Sequence, residues 1–276
     1  MGDQGVSENG KLKITICGAC GRMGRRLIEL VLADPRFELA GALERSDSPF
    51  IGRDALGADG SAPMGIKVTD DFGKAAAGAS VYLDFSSAEG VLPAAESAAV
   101  LKIPAVIGVT ALDGRIVGRL KELSEIIPIL QAPNMSTGVN LLYKLAAAAA
   151  AALGEGYDLE IVEAHHRRKK DAPSGTALKI LETLCEARGL DPEKAGVFGR
   201  SGTPGPRSAR EIGVHAVRGG DVIGDHAVIF AGPGELLEIT HRAQSRDAFA
   251  TGALKAALWI VGKEPGFYSY RDVLGL

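Results

Sequence analysis

The fourteen residues from Glu163 to Thr176, EAHHRRKKDAPSGT, combine side chains that move protons with side chains that bind anions. His165 and His166 titrate near neutral pH, so either imidazole can act as an acid or a base. Four consecutive cations follow the histidines, and Ser174 precedes a helical pattern whose first N–H groups favour an anion. The segment therefore predicts acid/base catalysis on an anionic substrate.

Two other interpretations of the basic run are a solvated surface and a nucleic-acid patch. A nucleic-acid binder normally carries a basic excess over a whole domain. This chain has 31 Lys and Arg against 34 Asp and Glu, and its net charge is −3. The charge balance favours a small acidic partner over a nucleic acid.

The length and composition of the chain are those of a soluble α/β enzyme with two domains. It has 276 residues, of which 46% are hydrophobic and 24% charged. We find no apolar run that approaches the ~20 residues needed to cross a bilayer, and the first residues lack the apolar core of a signal peptide. We therefore expect a cytoplasmic protein that does not bind membranes, with a poorly ordered segment over residues 1 to 10.

The first half of the chain begins with a strand, a glycine loop, a helix and a second strand that ends at Glu44. In such a βαβ unit Gly18 permits a sharp turn, Gly21 keeps side chains away from a pyrophosphate, and Gly24 lets helix and strand pack closely. Glu44 lies where a carboxylate accepts hydrogen bonds from the adenosine ribose. The next residue, Arg45, could instead hold a 2′-phosphate.

Cys17 and Cys20 form a CxxC pair inside this loop. Zinc would need two further ligands, and no second Cys pair exists, so we expect no metal. A redox pair is the other reading of the motif. The glycine loop offers a third, in which Cys20 occupies the place of the middle glycine of GxGxxG.

Three more strands, over residues 81–87, 103–110 and 126–134, alternate with helical stretches. This alternation predicts a parallel sheet and a Rossmann dinucleotide-binding domain over residues 1–135. Ligands of such sheets bind beyond the carboxyl ends of the strands. We expect these residues to face the cofactor: Ser86, Gly108, Thr110, Ala132 and Asn134.

The second half, residues 136–245, has an α+β pattern. A helix over residues 136–153 is followed by a strand that delivers His165, and then by a helix capped by Ser174. Three later strands with short turns, over residues 211–219, 221–230 and 234–243, predict a meander. Its histidines, His215, His226 and His241, are interpreted as structural.

One face of such a sheet often stays open, which suits pairing with other subunits. We therefore expect residues 136–245 to form a substrate-binding and oligomerisation domain. A last helix over residues 246–263 is expected to return, within the segment 246–276, to the first domain.

An ordered set of motifs makes the chain closely resemble the 4-hydroxy-tetrahydrodipicolinate reductase family, also called dihydrodipicolinate reductases. The resemblance runs from about Lys11 to the C-terminus, and its motifs are GACGRMG, ALER, APNMSTGVN, EAHHRRKKDAPSGTA and ITHRAQSRDAFATGALKAALW. It implies NADH- or NADPH-dependent reduction of a cyclic dicarboxylic substrate, with loss of water, in lysine and diaminopimelate synthesis. It also implies a homotetramer built through the C-terminal sheets.

The resemblance also implies roles for individual residues. His165 is the implied proton donor or acceptor and Lys169 a second proton donor, while His166, Gly175 and Thr176 bind substrate. The implied cofactor-binding residues are Gly18, Ala19, Cys20, Gly21, Arg22, Met23, Glu44, Arg45, Gly108, Val109, Thr110, Ala132, Pro133, Asn134 and Met135. Arg167, Arg168 and Lys170 receive no role.

Two loops depart from the family pattern. Residues 108–111 read Gly-Val-Thr-Ala where Gly-Thr-Thr-Gly is frequent, and residues 84–88 read Asp-Phe-Ser-Ser-Ala where Asp-Phe-Thr and a proline are common. The choice between NADH and NADPH is therefore open. Two alternative functions are another two-domain Rossmann reductase of an amino-acid precursor and a non-catalytic nicotinamide-binding redox sensor switched by Cys17 and Cys20.

Overall fold

The computed structural model describes residues 10–55 and 65–276. The expectation of disorder over residues 1 to 10 therefore lies, Gly10 apart, outside the described residues. The chain divides into two compact units. The first runs to Ser136 and resumes with Phe249–Leu276, and the second is Thr137–Ala248.

The first unit is a seven-stranded parallel sheet with helices between its strands, as the alternating pattern predicted. The strand order is β12-β6-β5-β4-β1-β2-β3. Its strands are β1 Leu12–Cys17, β2 Phe37–Leu43, β3 Val68–Thr69, β4 Val81–Asp84, β5 Ala105–Ile107, β6 Pro128–Gln131 and β12 Gly266–Tyr268. Its helices are α1 Arg22–Ala33, α2 Phe72–Ala75, α3 Ala88–Leu101, α4 Gly114–Leu123, α8 Asp247–Ile260 and α9 Tyr270–Leu274.

Both faces of this sheet are buried, because apolar residues alternate between two cores. Ile14 and Leu83 belong to one core, where α1 and α8 pack, whereas Tyr82 and Ile107 belong to the other, where α3 and α4 pack. Strands covered on both faces read as continuous apolar runs, and that is the sequence signal of a parallel sheet. The sheet thereby brings the carboxyl ends of β1, β2 and β4 to one edge.

Two short strands at the two edges of this sheet were not predicted from the sequence. The strand β3 has two residues, and β12 has three, beginning at Gly266. Strands of this length carry too little alternation to be recognised in a sequence. Through β12, which pairs in parallel with β6, the C-terminal segment becomes part of the first unit.

The second unit is a five-stranded mixed sheet with two long helices on one face. The strand order is β11-β10-β7-β9-β8. Its strands are β7 Asp158–His165, β8 Gly196–Phe198, β9 Ile212–Arg218, β10 Asp225–Gly232 and β11 Glu235–Arg242. Its helices are α5 Thr137–Leu153, a 3-10 turn Gly154–Gly156, α6 Gly175–Arg188 and α7 Pro192–Ala195.

The predicted meander is wrong for β9 and β10. These strands follow each other in the chain but do not pair, because β7 lies between them, parallel to β9 and antiparallel to β10. Only β10 and β11 form the expected hairpin. Period-two alternation identifies a strand and its buried face, but it does not identify the partner.

The stretch Thr137–Gly156 contradicts the expectation that no apolar run approaches the length of a bilayer span. By length and composition alone this stretch is long and apolar enough to cross a membrane, with a mean hydropathy of 1.2. Its alanines give this value, and a third of the stretch is buried. Leu142 and Ala146 of α5 pack with Ile180 of α6 in the core of the second unit.

Candidate functional site

The register of the second sheet brings four polar side chains onto one face. Glu163 of β7 lies opposite His226 of β10, and His165 of β7 lies opposite Arg218 of β9. Successive side chains alternate between the faces of a strand, so all four point to the helix-covered side, where Ile161 and Val228 are buried. The pairing of three strands therefore builds the cluster.

Glu163 is the centre of this cluster, and its side chain is completely buried. Its two carboxylate oxygens each accept a hydrogen bond from Arg218, at 2.8 Å from Nη1 and 2.8 Å from Nη2. The backbone N–H of Ser174 donates at 3.0 Å, and Nδ1 of His165 lies 2.5 Å away. Burial by itself raises the pKa of Glu163, but these donors outweigh it, so the net pKa is lowered and the carboxylate is ionised at neutral pH.

This contact determines the tautomer of His165. An ionised carboxylate only accepts hydrogen bonds, so Nδ1 of His165 carries the proton and Nε2 is left for another partner. A Cβ atom on Gly224 would lie 3.1 Å from Nε2, so this glycine leaves space beside that nitrogen. Burial lowers the pKa of His165 although Glu163 raises it, and the free protein holds the ring neutral at neutral pH.

His226 adds a second, more deeply buried imidazole. Its ring centroid lies 5.2 Å from that of His165 in an edge-to-face arrangement, and its Nε2 lies 3.1 Å from Oγ of Ser174. Burial lowers the pKa of His226 to about 3, with His165 adding to the effect. The sequence interpretation of His226 as structural missed this proximity, since only strand pairing brings the residue to β7.

The turn after β7 orients Lys169. Its Nζ lies 2.9 Å from Oδ2 of Asp171, and its backbone N–H donates to the carbonyl of His166. Arg218 also donates to the carbonyl of Asp171 at 2.8 Å, so one guanidinium holds both the buried carboxylate and this turn. The side chain of Lys169 is mostly buried, and its charge acts on the His165 ring. Lys169 could therefore serve as the second proton donor.

The predicted substrate residues lie around the same turn. Ser174 caps α6 by accepting a hydrogen bond from the N–H of Ala177 at 3.2 Å, as expected. Gly175 and Thr176 form the first turn of that helix, where N–H groups favour an anion. His166 has a buried Nδ1 atom without a hydrogen-bond partner among the described residues.

The other three cations of the basic run, Arg167, Arg168 and Lys170, are exposed to solvent. Arg168 pairs with Asp221 at 2.7 Å, and both side chains are largely exposed. Exposed pairs of this kind contribute about 0–1 kcal/mol. The geometry gives Arg168 a surface role, in keeping with the absence of an assignment from the sequence.

In the first unit the glycine loop has the close contacts that its spacing predicted. Gly18 has a φ of +74°, and a Cβ on it would lie 2.8 Å from the carbonyl oxygen of Phe85. A Cβ on Gly24 would lie 2.1 Å from the carbonyl oxygen of Gly18. Both positions exclude side chains, so the turn brings bare backbone to the start of α1.

Glu44 joins the end of β2 to this loop. Its Oε1 accepts a hydrogen bond from the N–H of Cys20 at 2.8 Å. A cavity of about 510 Å³ lies beside it, at the carboxyl ends of β1, β2 and β4. Its lining includes Gly18, Gly21, Glu44, Arg45, Asp70, Phe85, Ser86 and Ser97. A glycine-lined cleft with a carboxylate at one end fits a dinucleotide with its ribose hydroxyls.

Several predicted cofactor residues are not in this lining. The side chains of Ala19, Val109, Ala132 and Met135 are buried in the cores, so only their backbone could face a ligand. Cys20, Arg22, Met23, Gly108, Thr110, Pro133 and Asn134 likewise lie outside the cavity lining. Conversely, Asp70 and Ser97 were missed, and for Asp70 the reason is that it follows the unrecognised strand β3.

The loop that departs from the family pattern has an unusual backbone. Ala111 adopts a φ of +56°, a conformation that favours glycine. The ring of Phe85 lies where Gly108 would carry a side chain, with Cε1 2.4 Å from the ideal Cβ position. A glycine at residue 108 is therefore required by packing.

The cysteines show no sign of an activated thiol. Burial and the nearby Glu44 raise the pKa of Cys20 to about 11, and burial also raises the pKa of Cys17. Thiolates are the reactive form, so these raised pKa values count against a redox switch. Over residues 10–55 and 65–276, no group of three or more His, Cys, Asp or Glu side chains is arranged to hold a metal ion.

Two family models match the chain, one over each half. Residues 12–135 match the family model for dihydrodipicolinate reductase, N-terminus, and residues 138–274 match the model for its C-terminus. Two similar proteins are both named 4-hydroxy-tetrahydrodipicolinate reductase. The chain is 49% identical to the one from Thiobacillus denitrificans over 96% of this chain and 99% of the relative. It is 47% identical to the one from Anaeromyxobacter dehalogenans over 96% and 98%.

Solved structures share the fold. The dipicolinate-bound dihydrodipicolinate reductase from Paenisporosarcina sp. TG-14 has a TM-score of 0.76 at 23% identity, covering 95% of this chain and 98% of that one. The DAP dehydrogenase of C. glutamicum has a TM-score of 0.52 at 16% identity, covering 95% and 93%. The predicted class, a Rossmann domain with a second α+β domain, is confirmed.

The neutral, buried state of His226 makes stability depend on pH. The unfolded chain binds a proton as the pH falls through about 6.5, whereas the folded protein does so only near 3. Stability is therefore lost as the pH falls, by about 2 kcal/mol between pH 7 and pH 5. Urea denaturation at both pH values measures this loss. A His226→Gln variant should lose about 2 kcal/mol less than the wild type, and equal losses would contradict the burial of a neutral ring.

Proposed function

The chain belongs to the dihydrodipicolinate reductase family, and we propose that it is the 4-hydroxy-tetrahydrodipicolinate reductase of its cell. It would reduce (2S,4S)-4-hydroxy-2,3,4,5-tetrahydrodipicolinate to tetrahydrodipicolinate with loss of water, in the cytoplasm, for lysine biosynthesis via diaminopimelate. The observation that carries this proposal is the His165 ring, oriented by Glu163 with Nε2 left open, beside Lys169. Acid/base groups next to cations are what a dicarboxylic imine requires.

Members of the family use NADH or NADPH, and the first unit has residues to hold either. Gly18 and Gly21 would leave backbone open to the pyrophosphate, and Glu44 would accept hydrogen bonds from the adenosine ribose. The bound cofactor supplies the reducing equivalents. The residues of the second unit would supply protons and bind the two carboxylates.

His165 is neutral in the free protein and must be protonated to act as an acid. A substrate with two carboxylates brings negative charge close to the ring, and this raises the pKa of His165. Binding would thus load the catalytic proton onto Nε2. Lys169 would give a second proton, while His166 and the N–H groups of Gly175 and Thr176 would bind carboxylate.

Replacing His165 by Gln removes the titrating ring but keeps a polar side chain of similar reach. We expect kcat to fall by ~10²–10⁴, as for loss of a general acid. In the wild type, both kcat/KM and kcat should fall as the pH rises. The fall in kcat/KM should occur at a lower pH, because substrate binding raises the pKa of His165. Cofactor oxidation followed spectrophotometrically from pH 5 to 9 tests both statements. Near-normal turnover in His165→Gln would exclude the assignment.

Lys169→Ala removes the ammonium group and should impair both proton donation and substrate binding. We expect a lower kcat and a higher KM for the substrate, since the ammonium group would donate a proton and attract carboxylate. Arg168→Ala is the matched control, because Arg168 belongs to the same run but pairs at the surface. An unchanged KM in Lys169→Ala would argue against contact with substrate.

We propose that the protein prefers NADH, because carboxylates surround the site of a 2′-phosphate. Arg45 is engaged with Asp47 at 2.9 Å, and Glu44 and Asp70 line the same end of the cavity. A 2′-phosphate would have to displace Asp47 and approach two other carboxylates. The ribose hydroxyls of NADH, in contrast, are donors that suit Glu44.

Replacing Asp47 by Asn should release Arg45 for the phosphate. Since an exposed pair contributes up to about 1 kcal/mol, we expect kcat/KM for NADPH to rise about 5-fold, with less than about 2-fold change for NADH. Asp34→Asn, which breaks an exposed pair with Arg36 in the same unit, is the control. Equal changes for both cofactors would contradict a role of Asp47 in selection.

We further propose that the protein is a homotetramer formed through the open face of the second sheet. Val162, Ala164, Ala227 and Ile229 line a shallow hollow of about 290 Å³ on that face, and Leu236 beside it is 61% exposed. Asp225, Glu238, Thr240 and Arg242 line the same hollow, and an open sheet face that combines apolar and charged side chains suits association with identical subunits.

Light scattering should give a mass near four times the 28.6 kDa of one chain. An Ile229→Lys variant should dissociate, because burial of its ammonium group in an interface costs desolvation free energy even beside Glu160 and Glu238. Leu101→Lys, which changes an exposed apolar residue of the first unit, should leave the mass unaltered. A monomeric wild type at micromolar concentration would overturn the proposal.

A further inference from the structure

We infer that Glu163 is a positioning residue for His165, with Arg218 as its counter-charge, and that the pair sets which ring nitrogen takes part in proton transfer. The inference rests on the proposed function for its kinetic part. Its structural part, the tautomer of His165, does not depend on any substrate.

The first argument is the number of donors around the carboxylate. Arg218 donates twice, the Ser174 N–H once and His165 Nδ1 once. An ionised carboxylate has about four lone-pair sites, so these four contacts fill it. The group cannot rotate without losing a bond, and the direction of the Nδ1–H bond of His165 is therefore fixed.

The second argument is a comparison within the same strand. Glu160, on the opposite face of β7, also binds arginines and a histidine, but its Oε2 contacts Nε2 of His215 at 2.7 Å. The Glu160 carboxylate therefore occupies Nε2, the outer nitrogen of His215. Glu163 takes the inner nitrogen, Nδ1, and leaves Nε2 of His165 toward the space that Gly224 keeps clear. Only the second arrangement leaves Nε2 for a ligand.

The third argument is charge. Four groups act on the His165 ring from neighbouring elements: Glu163 on β7, Lys169 in the following turn, Arg218 on β9 and His226 on β10. Burial lowers the pKa of His165 most, Glu163 raises it, and Lys169 and Arg218 lower it further. Because burial, aided by the two cations, offsets the carboxylate, the ring keeps its orientation without becoming a permanent imidazolium. An acid that is reloaded in each cycle needs this balance.

The direct test is ¹⁵N NMR of histidine-labelled full-length protein, with the His165 signals assigned by their loss in His165→Gln. We expect the neutral His165 ring to carry its proton on Nδ1, although free imidazole side chains prefer Nε2. A proton on Nε2 in the wild type would overturn the inference, and would do so even if the enzyme proved fully active.

The kinetic test uses Glu163→Gln. Its amide would present N–H groups to Arg218 and Ser174, so the ring loses its fixed partner. We expect kcat to fall about 10–100-fold with KM for the substrate within about 3-fold, and the His165 limb of the pH profile to move to lower pH. Glu163→Asp, which keeps the charge, should restore the position of that limb in part.

Glu160→Gln is the matched control, since it removes an equivalent carboxylate from the other face of β7. It should leave the His165 tautomer and pH limb unaltered. Equal shifts in both variants would show a general effect of losing a buried carboxylate and would overturn the inference. If Glu163→Gln fails to fold, the wild-type tautomer still decides. If the wild type does not reduce the proposed substrate, only the proposed function fails.

Discussion

The buried carboxylate of Glu163 is the constraint on which the second unit depends. An ionised group without exposure to solvent costs several kcal/mol unless opposite charge and hydrogen bonds compensate it. Here compensation comes from three parts of the chain: Arg218 on β9, the Ser174 amide before α6, and His165 on β7 itself. Because each of these contacts also positions a group of the site, the stability of the sheet and the geometry of the site share the same bonds.

The same dependence explains why the turn after β7 is well defined. Arg218 binds Glu163 and the carbonyl of Asp171 with the same guanidinium, and Asp171 binds Lys169. The planar fork of arginine makes this double contact, which a lysine could not reproduce. A turn that would otherwise be a mobile loop is thus connected to the centre of the sheet, and Lys169 is held close to His165 before any ligand arrives.

The sequence allowed the prediction of what is local. The strand, glycine loop and helix around Gly18, Gly21 and Gly24, the acid at Glu44 and the cap at Ser174 all depend on spacing within about thirty residues. Arg218 and His226 were out of reach because they lie more than fifty residues from Glu163 and join it only through strand order. The meander was predicted wrongly for the same reason, since alternation does not name the neighbouring strand.

The strand β7 connects the site with the surface through its period of two. Ile161, Glu163 and His165 face the helices, whereas Glu160 and Val162 face the open side. A slip of one residue would bury Val162 where Glu163 binds Arg218 and would leave a catalytic candidate on the outer face. The two carboxylates therefore act together against such a slip: each finds its arginine only on its own face. The register that places Nε2 of His165 beside Gly224 is thus the same register that leaves Glu160 and Val162 on the open face.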